Sequence, residues 1–351
     1  MSERHPRILL LAMYPLDRGM WGATTRITQL RDALARISRL RVISGTRWPR
    51  ARQLAGAIGS LGRLDGIYVE NPTTLPGPAD LAFLALARMR GIPVLTYVRD
   101  AQQLFPEYAR ASTFRQRLSR LAFMPALRML MGVSTSVAFP SRGLARAIYA
   151  DDRDVVLLPP GARVAPELPL APNAHSLLFV GPLNRPAHGG QLLVDAIELV
   201  RRRGTDVHLI SISRPGEELD AGDRPWLRLV RAEGTEIDRI LPEVVATITP
   251  RRKTPYNDLA VPIKVLEYLG YGRPLIVTDT EETAAIVRGA RAGVVVPDSI
   301  EGLARGIEDV VGASLERRVA WGQAARAAAE RNSWDARARQ IVDLLGSLSH
   351  Q

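Results

Sequence analysis

The chain has 351 residues, 46% of them apolar, which is enough for two packed domains of ordinary size. It has no cysteine, which excludes disulfides, thiolate metal sites and cysteine nucleophiles. The net charge of +11 belongs to the first part of the chain, because residues 1–170 hold 24 Arg against 12 acids and residues 171–351 hold 23 Lys and Arg against 24 acids.

Aromatic content is 5% and no helix-turn-helix pattern occurs, so nucleic acid is not the expected partner of that charge. An anionic membrane surface or a phosphate-carrying acceptor fits it, and plain solubility is the ordinary alternative. The five histidines, His5, His175, His188, His208 and His350, lie without metal-ligand spacing, so no metal is expected. The apolar run of "MSERHPRILLLAMYP" is too short for a signal peptide. The longest membrane-span candidate, Leu121–Phe139, is broken by Pro125 and Arg128. The expected location is cytoplasmic, with peripheral contact to the inner membrane face.

Short apolar runs alternate with amphipathic ones along the chain. "RILLLAMYP" reads as a strand, "TTRITQLRDALARI" as a helix, and "LRVISG" and "DGIYVENP" as strands. "ADLAFLALARMRG" reads as a helix, "IPVLTYVRD" as a strand and "RQRLSRLAFMPALRML" as a helix. "GVSTSVAFPS" and "DVVLLPPGA" read as the strands that close this series near residue 165. The Pro-rich "APELPLAPNAH" predicts a linker at 166–175.

A second β/α series follows. "SLLFVG", "VHLISIS", "ATITP", "PLIVTD" and "RAGVVVPD" read as strands. "GGQLLVDAIELVRRRG", "EIDRILPEV", "PIKVLEYLGYG", "SIEGLARGIEDVVG" and "LERRVAWGQAARAAAERN" read as helices. The fold class is therefore α/β, with two doubly wound Rossmann-like domains at 1–165 and 176–333. Ligands in such sheets bind at the carboxyl ends of strands, and two facing domains make a cleft between those ends. The loop after the first strand holds only Gly19 and Gly22, not G-x-G-x-x-G, which disfavours a nicotinamide dehydrogenase.

"PIKVLEYLGYGRP", residues 262–274, holds one of the only two lysines among 47 basic residues. Pro262 suits the start of a helix and Gly270 its end. On that helix Lys264, Glu267, Tyr268 and Tyr271 share one arc, while Ile263, Val265, Leu266 and Leu269 face a core. A cation in a first helical turn opposes the helix dipole. A bound anion there would reverse the sign, and a compact ammonium suits phosphate. The competing reading is a solvated surface helix with a Lys–Glu pair.

In order and spacing, the chain resembles GT-B glycosyltransferases, most closely the large retaining family 4 (group 1). "GMWGATTRITQL" resembles the family's first Gly-containing loop, and "VRDAQQLFPEY" its acceptor-side loop. "FVGPLNRPAHGGQLLVDAI" resembles the opening of the nucleotide-binding domain, and "PIKVLEYLGYGRPLIVTD" the P-x-K-x-x-E-Y…G-x-P signature. "NSWDARARQIVDLL" resembles the closing helix, 334–351, that crosses back to the first domain.

The resemblance implies a nucleotide-diphosphate sugar as donor substrate, no cofactor, and a glycan or lipid-linked acceptor of the cell surface. It places Lys264 on the diphosphate, Glu267 on the ribose, and Gly181 and Arg185 among the donor-binding residues. Gly19 and Gly22 are read as an acceptor or phosphate loop, with a plain loop as the alternative. Asp100 becomes an acid/base or acceptor-orienting group, with a helix cap as the alternative. The pattern departs at Leu259, where the family's first glutamate falls, and Asp258 is the nearest substitute. The family's two cations fall at Pro182 and His188, with Arg185 between them. Three readings stay open: a glycosyltransferase, a non-catalytic relative that binds a nucleotide sugar or a partner, and a sugar-nucleotide epimerase on the same fold. Retention and inversion both stay open. Asp151–Asp154 carries a D-x-D pattern, read as a turn before a strand.

Overall fold

The computed structural model of the chain describes residues 5–16, 22–71, 75–105, 113–149, 155–219 and 224–349, without the side chains of 22–25, 115 and 116. It divides into two units, residues 1–161 with 334–351, and residues 162–333. Gly19 and Asp151–Asp154 lie outside the described residues.

In chain order, the first unit has β1 (Arg7–Ala12), α1 (Gly22–Ile37), β2 (Arg39–Ser44), α2 (Arg47–Ala57), β3 (Gly66–Asn71), α3 (Pro78–Met89), β4 (Val94–Val98), α4 (Phe114–Gly132), β5 (Ser136–Phe139), α5 (Arg142–Tyr149) and β6 (Val156–Leu157). The second has β7 (Ser176–Val180), α6 (Gly190–Arg202), β8 (His208–Ile212), β9 (Leu227–Val230), β10 (Val244–Thr249), α7 (Pro255–Leu259), α8 (Ile263–Gly270), β11 (Leu275–Thr278), α9 (Glu281–Ala290), β12 (Gly293–Val296), α10 (Ile300–Val311) and α11 (Leu315–Arg331). The last helix, α12 (Trp334–Leu348), returns to the first unit, where it packs on α1, β3 and β4.

Each unit is built on one six-stranded parallel sheet, ordered β2-β1-β3-β4-β5-β6 in the first and β12-β11-β10-β7-β8-β9 in the second. Parallel sheets are covered on both faces, so their strands read as continuous apolar runs. The strand β7 illustrates this. Leu177 and Phe179 enter one core with Leu193, Ile197 and Ile307, while Leu178 enters the opposite core with Val265, Leu266 and Tyr268. The second sheet reverses its winding between β7 and β10, and a doubly wound sheet opens a ligand crevice at the carboxyl end of such a reversal.

Several expectations need correction. Residues 166–175 do not stand between the units. They lie in the second unit, where Leu170 and Ala171 pack on one core and Leu168 on the other. The Arg273 guanidinium ties them down by donating to Leu168 O at 3.0 Å and Pro169 O at 3.3 Å. "EIDRILPEV" forms two short 3₁₀ turns, Gly234–Arg239 and Leu241–Glu243, instead of an α-helix. Pro242 lacks the N–H that a continuing helix requires. α2, α5, α7 and β9 were not among the expected elements.

Candidate donor site

Val180 is the last residue of β7. The side chains of α8 grip both of its backbone groups. Lys264 Nζ donates to Val180 O at 2.7 Å, and Val180 N donates to the Tyr268 hydroxyl at 2.7 Å. Tyr268 is fully buried, and Tyr271 is 4% exposed. The arc expected to be polar is therefore turned inward, and α8 is not a solvated surface helix. Pro262 is the residue before the helix, one position earlier than its expected place.

Gly181 follows, with φ at +142°, in a region that side chains rarely adopt. A Cβ there would lie 2.5 Å from Lys264 Nζ. Glycine is thus what lets the ammonium reach the end of the strand. Gly189 is similar: a Cβ on it would meet Pro250 O at 1.6 Å, so the loop after β7 sits directly against the end of β10. Asn257 on α7 clamps the two loops by donating to Ala187 O at 3.2 Å and Arg252 O at 2.7 Å.

Positive charge accumulates at this crevice. Burial and, after it, Arg251 lower the Lys264 pKa to about 7, against the opposing pull of Glu267 and Glu217. Burial, with Lys264, Arg251 and Arg185, lowers His188 to about 3, so its imidazole is neutral. His188 Nδ1 and Arg251 Nε are both buried with no hydrogen-bond partner among the described residues. Burial also raises the Glu267 carboxyl, opposed by Arg163 and Lys264. Lys264, Arg251 and Arg185 surround this strand end together with Glu267 and Glu217, an arrangement that can receive an anion.

Of the residues expected from sequence, Gly181, Lys264 and Glu267 come together here. Arg185 lies at the rim, 63% exposed, with Nη2 donating to Glu217 Oε1 at 3.3 Å. Asp258 Oδ1 accepts from Glu281 N at 3.0 Å, so this carboxylate caps the N-terminus of α9. Asp100 belongs to the first unit, where its Oδ1 accepts from Gln102 N at 3.2 Å in a short turn. Gly22 opens α1. Sequence reasoning missed Arg251 and undervalued His188. Arg251 follows the last apolar residues of "VVATIT", and the strand-end rule could have found it.

Residues 174–312 match the model of the family described as glycosyl transferases group 1. No curated protein matches the sequence. Among solved structures, the chain resembles HepE of Anabaena in complex with UDP, with a TM-score of 0.66 at 16% identity, over 97% of this chain and 100% of that one. It resembles sucrose-phosphate synthase of Thermosynechococcus elongatus, with a TM-score of 0.65 at 14% identity, over 98% and 99%. An E. coli trehalose-6-phosphate protein bound with UDP-2-fluoro glucose gives 0.62 at 11% identity, over 97% and 99%. The chain has the GT-B fold of these neighbours. Its matched stretch, which holds Gly181, His188, Arg251, Lys264 and Glu267, is of the group 1 type.

Proposed function

We propose that the protein transfers a sugar from a nucleoside-diphosphate sugar to a lipid-linked or cell-surface glycan acceptor. The observation that carries the donor half is the cationic crevice where β7 and β10 part. Lys264, Arg251 and Arg185 receive the diphosphate, the glycine backbone at 181 allows its close approach, and neutral His188 lines the site. Glu267 accepts from the ribose hydroxyls, which suits a half-buried carboxylate with two oxygens. Developing charge on the leaving diphosphate is stabilised by these fixed cations. Asp258 serves the loop that carries α8 by anchoring it to α9.

The first test is a thermal-shift panel of UDP, GDP and ADP sugars on the full chain. One base should raise the melting temperature above the others, because ligand at a hundredfold excess over Kd adds about 2.7 kcal/mol. If no nucleotide sugar shifts the transition, the donor assignment fails and a partner-binding relative is the better reading.

The acceptor half rests on α4. Phe114, Leu118, Leu121 and Met129 are 82%, 56%, 77% and 59% exposed. Their spacing of 4, 3 and 8 places them on one stripe, while Phe123, Leu127 and Leu130 are buried on the opposite side. Arg117 and Arg128 are exposed beside the stripe. No helix among the described residues is long and apolar enough to cross a membrane. An exposed apolar stripe flanked by arginines suits a helix lying on an anionic leaflet. The protein should sediment with vesicles of phosphatidylglycerol and phosphatidylcholine at low salt, and weakly with phosphatidylcholine alone. Arg117→Gln with Arg128→Gln should weaken the binding roughly thirtyfold, at about 1 kcal/mol per arginine. Leu118→Ser with Leu121→Ser should weaken what high salt leaves behind. Absence of binding to either vesicle would point to a soluble acceptor.

A further inference from the structure

The amino ends of β7 and β8, at the far end of the second sheet from Lys264, carry a cluster that donor binding does not use. His175 immediately precedes β7, His208 opens β8, and Asp206 lies two residues before it. The sheet ladder brings them together: His208 N donates to the His175 carbonyl at 3.1 Å, and Ser176 is in register with His208. In an extended segment residues two apart share a face, so Asp206 and His208 project to the same side. One ligand atom from each of the three lies within 4.8 Å of the others.

We propose that His175, Asp206 and His208 bind a divalent transition-metal ion of the zinc class. Two imidazoles and one carboxylate are the donor set that suits Zn²⁺ and its neighbours in the first row, and not the all-oxygen preference of Mg²⁺ or Ca²⁺.

Three details support it. His175 Nδ1 lies 3.0 Å from the carbonyl of Asn173. A carbonyl can only accept, so Nδ1 carries the proton and a neutral ring leaves its Nε2 lone pair free. This backbone-carbonyl contact is the usual outer support of a metal-bound histidine. Second, His208 Nε2 and Asp206 Oδ1 are 3.4 Å apart. Two ligands at about 2.1 Å from a tetrahedral ion are themselves separated by about 3.4 Å. Third, Arg201 Nη1 donates to Asp206 Oδ1 at 2.7 Å and to Val207 O at 2.8 Å, which fixes the direction of the carboxylate while Oδ1 keeps a second lone pair for an ion. The two imidazole rings meet edge to face with centroids 4.7 Å apart.

The ion would staple the segment just before β7 to β8. Six residues of extended chain separate His175 from Gly181, roughly 20 Å at about 3.3 Å per residue, so the ion is remote from the donor. That separates this inference from the donor assignment, and either can fail alone.

The test uses the full chain without a histidine tag, stripped with a chelator and dialysed. Titration with ZnCl₂ by calorimetry should give one equivalent at micromolar affinity, and Co²⁺ should give visible absorption of a tetrahedral or five-coordinate site. Loss of an outer-shell partner already costs roughly 10- to 100-fold in metal affinity, so His175→Gln or His208→Gln should cost at least about 100-fold. Asp206→Asn should weaken binding by less. Circular dichroism checks that each variant is folded, and His175→Gln alters only a surface side chain. Two results overturn the proposal. One is no saturable binding of Zn²⁺ or Co²⁺ by the wild type in the micromolar range. The other is unchanged stoichiometric binding in the His175→Gln, His208→Gln double variant, which would put the ion elsewhere.

Discussion

Replacing Lys264 with alanine should weaken nucleotide-sugar binding by roughly 10- to 150-fold, the equivalent of about 1.5–3 kcal/mol for a charge-assisted hydrogen bond. The ammonium is placed by Val180 O at 2.7 Å and by the open space over Gly181, so it is already aimed before any anion arrives. Preorganisation of this kind raises the worth of a single contact. Burial and Arg251 hold the free-state pKa down at about 7. A bound diphosphate favours the protonated amine and raises that pKa, so binding takes up a proton. Affinity should therefore be greatest below pH 7 and fall as pH rises from about 7 toward the higher pKa of the complex. A nucleotide sugar is the right probe, because its diphosphate diester does not itself titrate there. Calorimetry in buffers of different ionisation enthalpy reads the proton uptake directly. Lys264→Ala should flatten the pH dependence as well as lower the affinity. Lys264→Arg should restore only part of it, since a planar guanidinium does not fit the place of a compact ammonium over Gly181. If Lys264→Ala binds as the wild type does and keeps the slope, the cation on the diphosphate lies elsewhere.

Lys264 could be read from the sequence because it is rare. One of only two lysines among 47 basic residues draws notice, and its place in a first helical turn is unfavourable without an anion. Arg251 had the opposite handicap. It is one of 45 arginines, and what distinguishes it is the adjacency of β10 to β7, a neighbour relation made by a chain crossover. His188 is likewise defined by what packs over it. The doubly wound fold was legible in the alternation of buried runs. The Pro-rich stretch 166–175 misled, because prolines predict irregular backbone but do not say whether Leu168 and Leu170 find a core. The histidine–aspartate cluster was invisible for the same reason as Arg251, since 31 positions separate His175 from Asp206 and only the ladder of β7 with β8 joins them.

Arg26→Met should destabilise the first unit by about 3–5 kcal/mol, the penalty for leaving one half of a buried ion pair without the other. As an arginine on an exposed helix it would have been expendable, yet it is 1% exposed. Its Nε donates to Glu70 Oε1 at 3.0 Å, and its Nη2 to the Tyr68 hydroxyl at 3.1 Å. Tyr68 in turn donates to Glu70 Oε2 at 2.8 Å, which closes a ring of three fully buried groups. The guanidinium stacks over the Tyr97 ring at 3.9 Å and faces Trp334 of α12 at 5.9 Å. Burial works against the charge of Arg26, but Glu70, Tyr97 and Tyr68 overcome it and hold its pKa well above the ordinary value. The network thus joins α1, β3, β4 and α12, the elements that converge on the carboxyl edge of the first sheet. Methionine keeps most of the volume and strands Glu70 as a buried carboxylate. At roughly 2–4 °C per kcal/mol for a unit of this size, the first unit should melt about 6–20 °C lower. Replacing both members, Arg26→Met with Glu70→Leu, should recover much of the loss, because an apolar pair of similar volume carries no desolvation penalty. The double-mutant cycle, read by urea unfolding of the full chain, isolates the pair's coupling. A single Arg26→Met variant within about 1 kcal/mol of the wild type would contradict the structural role. If that variant also bound acceptor poorly while folding normally, Arg26 would belong to the acceptor site and not to the frame that holds it.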